Sequence, residues 1–322
     1  MRFDLIKCHG SGNDFPLIDA RALSLGDADW ARVARALADR AGPVGGDGLL
    51  LLTAGDEDGR AFGMRMFNSD GSESETCLNG LRCVARAGFA ATGLAHATAR
   101  LKTSEAVVAR DRDIAPGVFT VRETAGPASL DVAAWPMHVD AGQIVETPLA
   151  GLPSPRAFTA VAMPNPHLVA FVESVDEAEL VRVGEACEAA PDWLPNRANV
   201  SFVEVRGTDL FVRTHERGVG LTDSCGSAMA ASTYAACLTG RIAYDTPTTV
   251  FNKGGLVRAE AGADGMVTLS GNATVEWSGS VTVDLESGAP GVKSGEPGAR
   301  DLVITQRHDE EIAAWETLRN PM

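Results

Sequence analysis

Positive charge is scarce in this chain. Its 322 residues include 28 Lys and Arg against 43 Asp and Glu, which gives a formal net charge of −15 at pH 7. A protein this acidic has no general electrostatic attraction to nucleic-acid phosphates or to anionic lipids. We therefore expect no nucleic-acid partner, and we expect any acidic small-molecule ligand to be bound by local donors.

We also expect no targeting or membrane-spanning segment. The N-terminal residues MRFDLIK contain no hydrophobic region of the signal-peptide kind, and no apolar run reaches the length of a membrane span. These features predict a cytoplasmic protein with no membrane partner. In that compartment its six cysteines are expected to be reduced.

Common metal and cofactor motifs do not occur either. The cysteines form no C-x-x-C pair, so the spacing does not suggest a zinc site. The glycine-rich segment 8–15 is expected to form a turn; it leads into a strand and lacks the third glycine that opens the helix of a dinucleotide fingerprint. The glycine-rich segment 42–48 lacks the lysine of a phosphate loop, and no lysine is marked for a pyridoxal Schiff base. We expect no cofactor and no metal.

The two halves of the sequence contain the same features in the same order. The length and the 45% of hydrophobic residues favour two domains over one. Each half carries short apolar strands, a glycine-rich turn, a cysteine and a helix of small residues, which suggests a duplicated domain. We place one domain at 1–122 plus 274–285 and the other at 123–273. A final pair of strands is expected between Thr274 and Leu285. Residues 286–322 read as a linker-like extension, with a helix over 309–319.

Two cysteines stand at equivalent places in this plan. Cys77 and Cys225 each follow turn residues and precede an alanine-rich segment that ends near Gly93 or Gly240. This pattern is typical of a cysteine at the N-terminus of a helix. Unpaired N–H groups and the helix dipole favour negative charge there, which lowers the pKa of a thiol. Small apolar cysteines also commonly pack in cores, but two in matched contexts favour a chemical role.

Several sequence blocks around these cysteines resemble the diaminopimelate epimerase family of cofactor-independent amino-acid racemases. In chain order they are HGSGNDF (9–15), GGDGLL (45–50), FNSDGS (67–72), CLNGLRC (77–83), NPH (165–167), Asn199, ERGVG (216–220) and CGS (225–227). The resemblance covers roughly residues 3–285. It implies an α/β (α+β) fold of two pseudo-symmetric domains, each a curved, mostly antiparallel sheet wrapped around a central helix. It also implies an active site in the cleft between the domains, and a homodimer.

The implied reaction inverts one α-carbon of LL-2,6-diaminoheptanedioate to give the meso isomer, a precursor of lysine and peptidoglycan. Inversion needs a base on one face of the carbon and an acid on the other, and the resemblance assigns these roles to Cys77 and Cys225. It implies that backbone N–H groups of Leu78, Asn79, Gly226 and Ser227 bind the reacting carboxylate, where negative charge develops.

The resemblance also implies which residues bind the distal end of the substrate. Asn68, Asn165, Asn199 and Arg217 are expected on the distal carboxylate, Glu216 near the distal ammonium, and Asn13 along the same site. His167 and Glu216 resemble the residues thought to adjust the two thiol pKa values. Purely structural roles are also open at these positions: turn formation for each Asn, a surface ion pair for Glu216 and Arg217, and a buried core histidine for His167.

Three positions depart from the family pattern. Leu78 and Ala228 replace glycines, and Leu221 replaces a glutamate. These changes leave open a related racemase for another amino acid, such as histidine. A cysteine hydrolase or acyltransferase, with His167 or His215 as base, and a thiol redox switch are the alternatives from other classes.

Overall fold

A computed structural model describes residues 1–135, 137–163, 165–285 and 298–319. The chain divides into two compact units, which are described separately. Unit 1 consists of Met1–Glu123 and Gly271–Met322, and unit 2 consists of Thr124–Ser270. In the described part of the chain, no helix has both the length and the apolar character needed to cross a membrane.

Unit 1 begins with eight strands and two helices. They are β1 (Arg2–Gly10), β2 (Asn13–Asp19), α1 (Asp27–Ala38), β3 (Gly48–Ala54), β4 (Phe62–Asn68), β5 (Glu73–Ser74), α2 (Leu78–Thr92), β6 (His96–Arg100), β7 (Glu105–Arg110) and β8 (Thr120–Ala125). The pairs β2–β3 and β4–β6 are parallel, whereas β1–β2, β3–β4, β4–β5, β6–β7 and β7–β8 are antiparallel. The sheet is therefore mixed but mostly antiparallel.

Unit 2 repeats this order. Its elements are β9 (Thr147–Pro148), β10 (Ala157–Ala162), β11 (Pro166–Val172), α3 (Glu177–Glu188), β12 (Asn199–Arg206), β13 (Asp209–Glu216), β14 (Gly220–Thr222), α4 (Gly226–Leu238), β15 (Thr248–Asn252), β16 (Gly255–Ala261) and β17 (Val267–Asn272). The pairs β11–β12 and β13–β15 are parallel, at the positions of the two parallel pairs of unit 1. The order from β10 to β16 thus matches that from β1 to β7, and the predicted α/β class is confirmed.

Small residues allow one helix in each unit to lie against several strands. In α4, 12 of the 13 residues are buried, and the helix packs against β10, β11, β12, β13, β15 and β16. Most of its residues are alanine, glycine or serine, whose short side chains let strands approach closely; Met229 and Tyr234 are the larger buried exceptions. The equivalent helix α2 packs against β1, β2, β3, β4 and β7.

The run of four leucines in β3 is buried on both faces of the sheet of unit 1. Leu49 and Leu51 pack with residues of α1 in one hydrophobic cluster. Leu50 lies against α2, since a Cβ added to Gly80 would be 2.7 Å from its Cδ2 atom. A strand covered by helices on both faces loses the usual alternation of polar and apolar residues.

The end of the chain differs from the sequence prediction. The prediction of two strands between Thr274 and Leu285 is wrong, because one strand, β18 (Thr274–Asp284), occupies this stretch and pairs with β1. A further strand, β19 (Gly298–Arg307), pairs with β18, and α5 (Asp309–Arg319) follows it. The predicted linker-like extension therefore contains a strand that local patterns did not reveal; its segment 286–297 lies outside the described residues.

Candidate active site

Cys77 is the N-cap of α2. It has extended backbone geometry (φ −148°, ψ 102°), and its Sγ atom accepts a hydrogen bond from the backbone N–H of Gly80 at 3.4 Å. The helix ends at Gly93, whose left-handed conformation (φ 74°) provides the C-cap. The predicted position of this cysteine at a helix N-terminus is thus observed, and Leu78 and Asn79 occupy the first turn of the helix.

A tight turn brings Asn13 to this helix end. Gly10 and Asn13 pair across β1 and β2, and the two residues between them, Ser11 and Gly12, have φ of 51° and 82°. Two successive positive φ values are the mark of a type I′ hairpin. The thiol of Cys77 donates to Asn13 Oδ1 at 3.8 Å. Sequence reasoning took all of 8–15 as a turn, but β1 continues to Gly10 because β18 supplies a partner strand.

A buried ion pair lies beneath the turn. Arg82 donates to Glu123 Oε1 at 2.7 Å, to Asn79 Oδ1 at 2.7 Å and to Ser11 Oγ at 3.1 Å, and the side chains of both charged residues are fully buried. Burial raises the pKa of Glu123, and the charge of Arg82 offsets only part of this effect. Sequence reasoning did not single out Arg82 or Glu123, and no local pattern marks them as partners.

Asn272 connects the turn to His9. Its Oδ1 atom accepts from the Ser11 N–H at 2.7 Å, and its Nδ2 atom lies 3.2 Å from His9 Nδ1. The same His9 nitrogen faces the Gly12 N–H at 3.4 Å. Burial lowers the pKa of His9 to about 4, so the ring is neutral near pH 7 and Nδ1 acts as an acceptor. Asn272 was likewise not anticipated, because Ser11 and His9 lie more than 260 residues away in the sequence.

Asn68 stabilises the turn between itself and Ser72. Its backbone N–H donates to Ser72 O at 2.8 Å, and its Nδ2 atom donates to Ser72 Oγ at 3.0 Å. This asparagine therefore has a turn-forming role. Its expected contact with a distal carboxylate stays a prediction.

In unit 2, Cys225 is the N-cap of α4. Its backbone is also extended (φ −134°, ψ 111°), and its side chain is buried. Its Sγ atom lies 3.5 Å from Ser227 Oγ. Gly226 and Ser227 form the start of the helix, as the sequence predicted.

A chain of hydrogen bonds runs from Ser227 to His167. Asn165 donates from Nδ2 to Ser227 Oγ at 3.3 Å, and its Oδ1 atom lies 3.1 Å from His167 Nε2. Burial, followed by the charge of Arg217, lowers the pKa of His167 to about 3. The histidine is therefore neutral, and the tautomer that carries its hydrogen on Nε2 can donate it to Asn165 Oδ1. Its Nδ1 atom is buried without a partner among the described residues.

Strand register brings Asn199 to the same place. Asn199 and His167 face each other in the parallel pair β11–β12, and Asn199 Nδ2 approaches His167 Nε2 to 3.4 Å. The Oδ1 atom of Asn199 accepts from the backbone N–H of Arg217 at 2.8 Å, while the Arg217 guanidinium donates to Asn196 O at 3.0 Å. Glu216 ends β13 directly before Arg217.

The predicted site residues thus form two groups, one in each unit. In unit 1 they are Asn13, Asn68, Cys77, Leu78 and Asn79; in unit 2 they are Asn165, His167, Asn199, Glu216, Arg217, Cys225, Gly226 and Ser227. A cavity of about 210 Å³ elsewhere in unit 1 is lined by Cys8, Cys83, Arg86 and His308 among others, and by none of the predicted residues. Within the described ranges, no group of three His, Cys, Asp or Glu side chains is arranged to hold a metal ion.

The family model and the sequence relatives agree on one family. The family model described as Diaminopimelate epimerase matches residues 5–111 and 159–276. A diaminopimelate epimerase from Clostridium acetobutylicum is 36% identical over 294 residues, which cover 88% of this chain and 87% of that protein. One from Enterococcus faecalis is 37% identical over 296 residues, covering 88% and 90%. A solved structure from Pseudomonas aeruginosa, described as a predicted epimerase, has a TM-score of 0.62 at 18% identity, covering 86% of this chain and 98% of that one.

Proposed function

This chain belongs to the diaminopimelate epimerase family, and from that premise we propose that it converts LL-2,6-diaminoheptanedioate to the meso isomer through two cysteines and without a cofactor. The observation that carries the proposal is that each unit presents a cysteine as the N-cap of its most enclosed helix. Inversion of the α-carbon needs one acid–base group on each of its two faces, and a duplicated fold with one thiol in each half can supply both groups.

In the proposed reaction, the thiolate of one cysteine removes the α-hydrogen as a proton. The electron pair of the C–H bond stays on the carbon and spreads into the adjacent carboxylate. The thiol of the other cysteine then donates its proton to the opposite face, so one C–H bond breaks and one forms. The two cysteines exchange protonation states in each turnover, and the reverse reaction uses the same groups in exchanged roles.

Backbone N–H groups stabilise the intermediate in this proposal. The groups of Leu78 and Asn79 in α2, and of Gly226 and Ser227 in α4, lie in first turns, where the helix dipole also favours negative charge. Donors that are fixed before the reaction stabilise developing charge without a cost of reorientation. Leu78 fills this role in spite of its side chain, because only its N–H is used.

The distal end of the substrate completes the proposal. Arg217 is half-buried and can give a carboxylate a bidentate pairing. Asn13, Asn68, Asn165 and Asn199 would add carboxamide contacts. Glu216 would face the distal ammonium.

The hydrogen-bonded series His167, Asn165 and Ser227 holds a hydroxyl toward the Cys225 sulfur. We propose that this series, with a neutral His167, sets the protonation behaviour of Cys225. Ser227→Ala should lower the rate of α-hydrogen exchange about tenfold, the equivalent of about one hydrogen bond of 1 to 1.5 kcal/mol. Ser232→Ala is the matched control, because that buried hydroxyl of α4 has no hydrogen-bond partner among the described residues.

The decisive test is incorporation of solvent deuterium at the α-carbon, measured by mass spectrometry with reduced protein in D₂O. LL-2,6-diaminoheptanedioate should acquire one deuterium per turnover, and Cys77→Ala and Cys225→Ala should each abolish epimerisation. Cys8→Ala and Cys237→Ala, one in each unit, should remain active. Absence of deuterium incorporation by the unmodified protein would refute the proposal.

A racemase for another amino acid, such as histidine, is the second candidate. It is favoured by Leu78, whose side chain follows Cys77 directly, and by Leu221, which is 37% exposed on β14 where the family has a carboxylate. The same exchange assay over a panel of amino acids decides between the two. Faster exchange into histidine than into the diamino diacid would select the second candidate.

We also propose a cytoplasmic homodimer, as is expected for this family. Light scattering after size-exclusion chromatography should give twice the mass of the 33.6-kDa chain. A mass of one chain at micromolar concentration would exclude the dimer.

A further inference from the structure

The C-terminal elements β19 and α5 lie beyond the part of the chain that matches the family, which ends at residue 276. They are nevertheless built onto unit 1. β19 pairs with β18 over most of its length, and α5 packs against β18. These contacts make β19 and α5 an integral part of unit 1.

One contact of α5 reaches the strand that leads to the active-site turn. Among the described residues of this helix, Trp315 alone is buried, and its exposed fraction is 1%. Its ring centroid lies 5.6 Å from that of His9, which is itself buried. A tryptophan of this burial is the largest single apolar contribution a helix can make to such a contact.

A second contact ties α5 to α2. The Glu311 carboxylate accepts two hydrogen bonds from Arg86, at 2.6 and 2.7 Å, and one from the Val275 N–H at 3.3 Å. Arg86 also donates to Ala273 O at 2.8 Å. Burial opposes ionisation of Glu311, but the hydrogen bonds from Arg86 hold the pKa of this carboxyl below its ordinary value. The pair therefore fixes α5 to the helix whose N-cap is Cys77.

From His9 the contacts continue to the reacting sulfur. The Nδ1 atom of His9 accepts from the Gly12 N–H at 3.4 Å, and Gly12 precedes Asn13 in the type I′ turn. Asn13 Oδ1 in turn accepts from the Cys77 thiol at 3.8 Å. Trp315 is thus separated from the thiol by one histidine and one turn.

We propose that α5 positions the turn carrying Asn13 against the Cys77 thiol, with Trp315 and Glu311 as its positioning residues. The expected effect on kcat rests on the proposed epimerase function. The expected effect on the contact between Asn13 and the Cys77 thiol does not depend on any substrate.

The kinetic test compares full-length variants in the deuterium-exchange assay. Trp315→Ala should lower kcat about 10- to 100-fold, the scale of a misplaced catalytic group, and leave KM within about twofold. Trp315→Phe keeps an aromatic ring beside His9 and should restore most of the rate. Glu311→Gln should lower kcat in the same direction, whereas Glu310→Gln, with the same change of charge at the exposed neighbouring position, should not.

The substrate-free test measures alkylation of individual cysteines by iodoacetamide, with peptides separated by mass spectrometry. Asn13 favours the protonated thiol, so release of the turn in Trp315→Ala should raise the alkylation rate of Cys77 about threefold or more. The rate of Cys225, in the other unit, should stay unchanged. Glu311→Gln gives the same readout without opening a cavity, and it decides the matter if Trp315→Ala does not fold.

Equal changes at both cysteines, or unchanged kcat and unchanged Cys77 alkylation in a destabilised variant, would overturn the proposal. If the unmodified protein shows no exchange of the α-hydrogen, the proposed function fails. The alkylation ratio still decides the role of α5 in that case.

Discussion

Protonation of His167 should destabilise unit 2 as the pH falls. The folded protein lowers the pKa of this histidine from 6.5 to about 3, chiefly by burial. Below about pH 6.5 the His167 imidazole therefore binds a proton in the unfolded chain but not in the folded chain. The contribution of neutral His167 to the free energy of unfolding is fully present above pH 6.5 and is lost as the pH falls toward 3.

The magnitude follows from the two pKa values. At pH 5 the unfolded histidine is almost fully protonated and the folded one is not, so the free energy of unfolding should fall by about 2 kcal/mol between pH 7 and pH 5. The full loss, reached below pH 3, is about 5 kcal/mol. Aspartates with an ordinary pKa contribute little above pH 5, so the window from 7 to 5 is the informative one.

The variant His167→Gln isolates this contribution. Its side-chain amide can donate to Asn165 Oδ1, but it does not titrate. Hydrogen exchange of α4 amides, corrected for intrinsic rates, reports the opening free energy of unit 2 at pH 7, 6 and 5. The unmodified protein should lose about 2 kcal/mol more than the variant over this range.

The matched control is His138→Gln, at an exposed position of the same unit. It should lose stability with falling pH as the unmodified protein does. Equal pH dependence of the unmodified protein and His167→Gln would refute the argument, because it would mean that His167 gains its proton in the folded state as easily as in the unfolded one.

Two further predictions concern unit 1. Gly10→Ala places a Cβ atom 2.4 Å from Asn79 O, so it should lower the free energy of unfolding by about 1 to 3 kcal/mol in urea titrations. Gly142→Ala is the control and should leave this free energy nearly unchanged, because its added methyl meets nothing within 4 Å. Equal effects of the two substitutions would contradict the close approach at Gly10. Arg82→Met leaves Glu123 buried and unpaired and should cost about 3 to 5 kcal/mol by the same titration, and adding Glu123→Gln should recover part of that loss. No recovery in the double variant would show that the ion pair is not the cause.

Much of the local structure was predictable because it depends on neighbours in sequence. The start of α2 after Cys77 and its end at Gly93 follow from capping rules that act over a few residues. The same rules located α4 after Cys225. The repeated order of elements was visible for the same reason, since each half carries its own turns and helix ends.

The site was only partly predictable. Family motifs named Asn165 and His167, but the link through Ser227 to Cys225 depends on the hairpin between β10 and β11. The prolines of segment 163–167 suggest a tight turn in the sequence, whereas His167 lies in β11. The reason is that its partner strand β12 supplies hydrogen bonds from a segment about 30 residues away.

The sequence by itself determined the chemical groups and the local geometry that presents them: two thiols at helix N-termini, the tight turn before Asn13, and the small residues that let strands surround α4. Tertiary structure alone decided the pairing of Arg82 with Glu123, the neutrality of His9 and His167, and the contact of Trp315 with His9 in β1. Capping and turn formation are short-range and are encoded in adjacent residues. Burial and partner choice depend on residues that meet only after strands distant in sequence have paired.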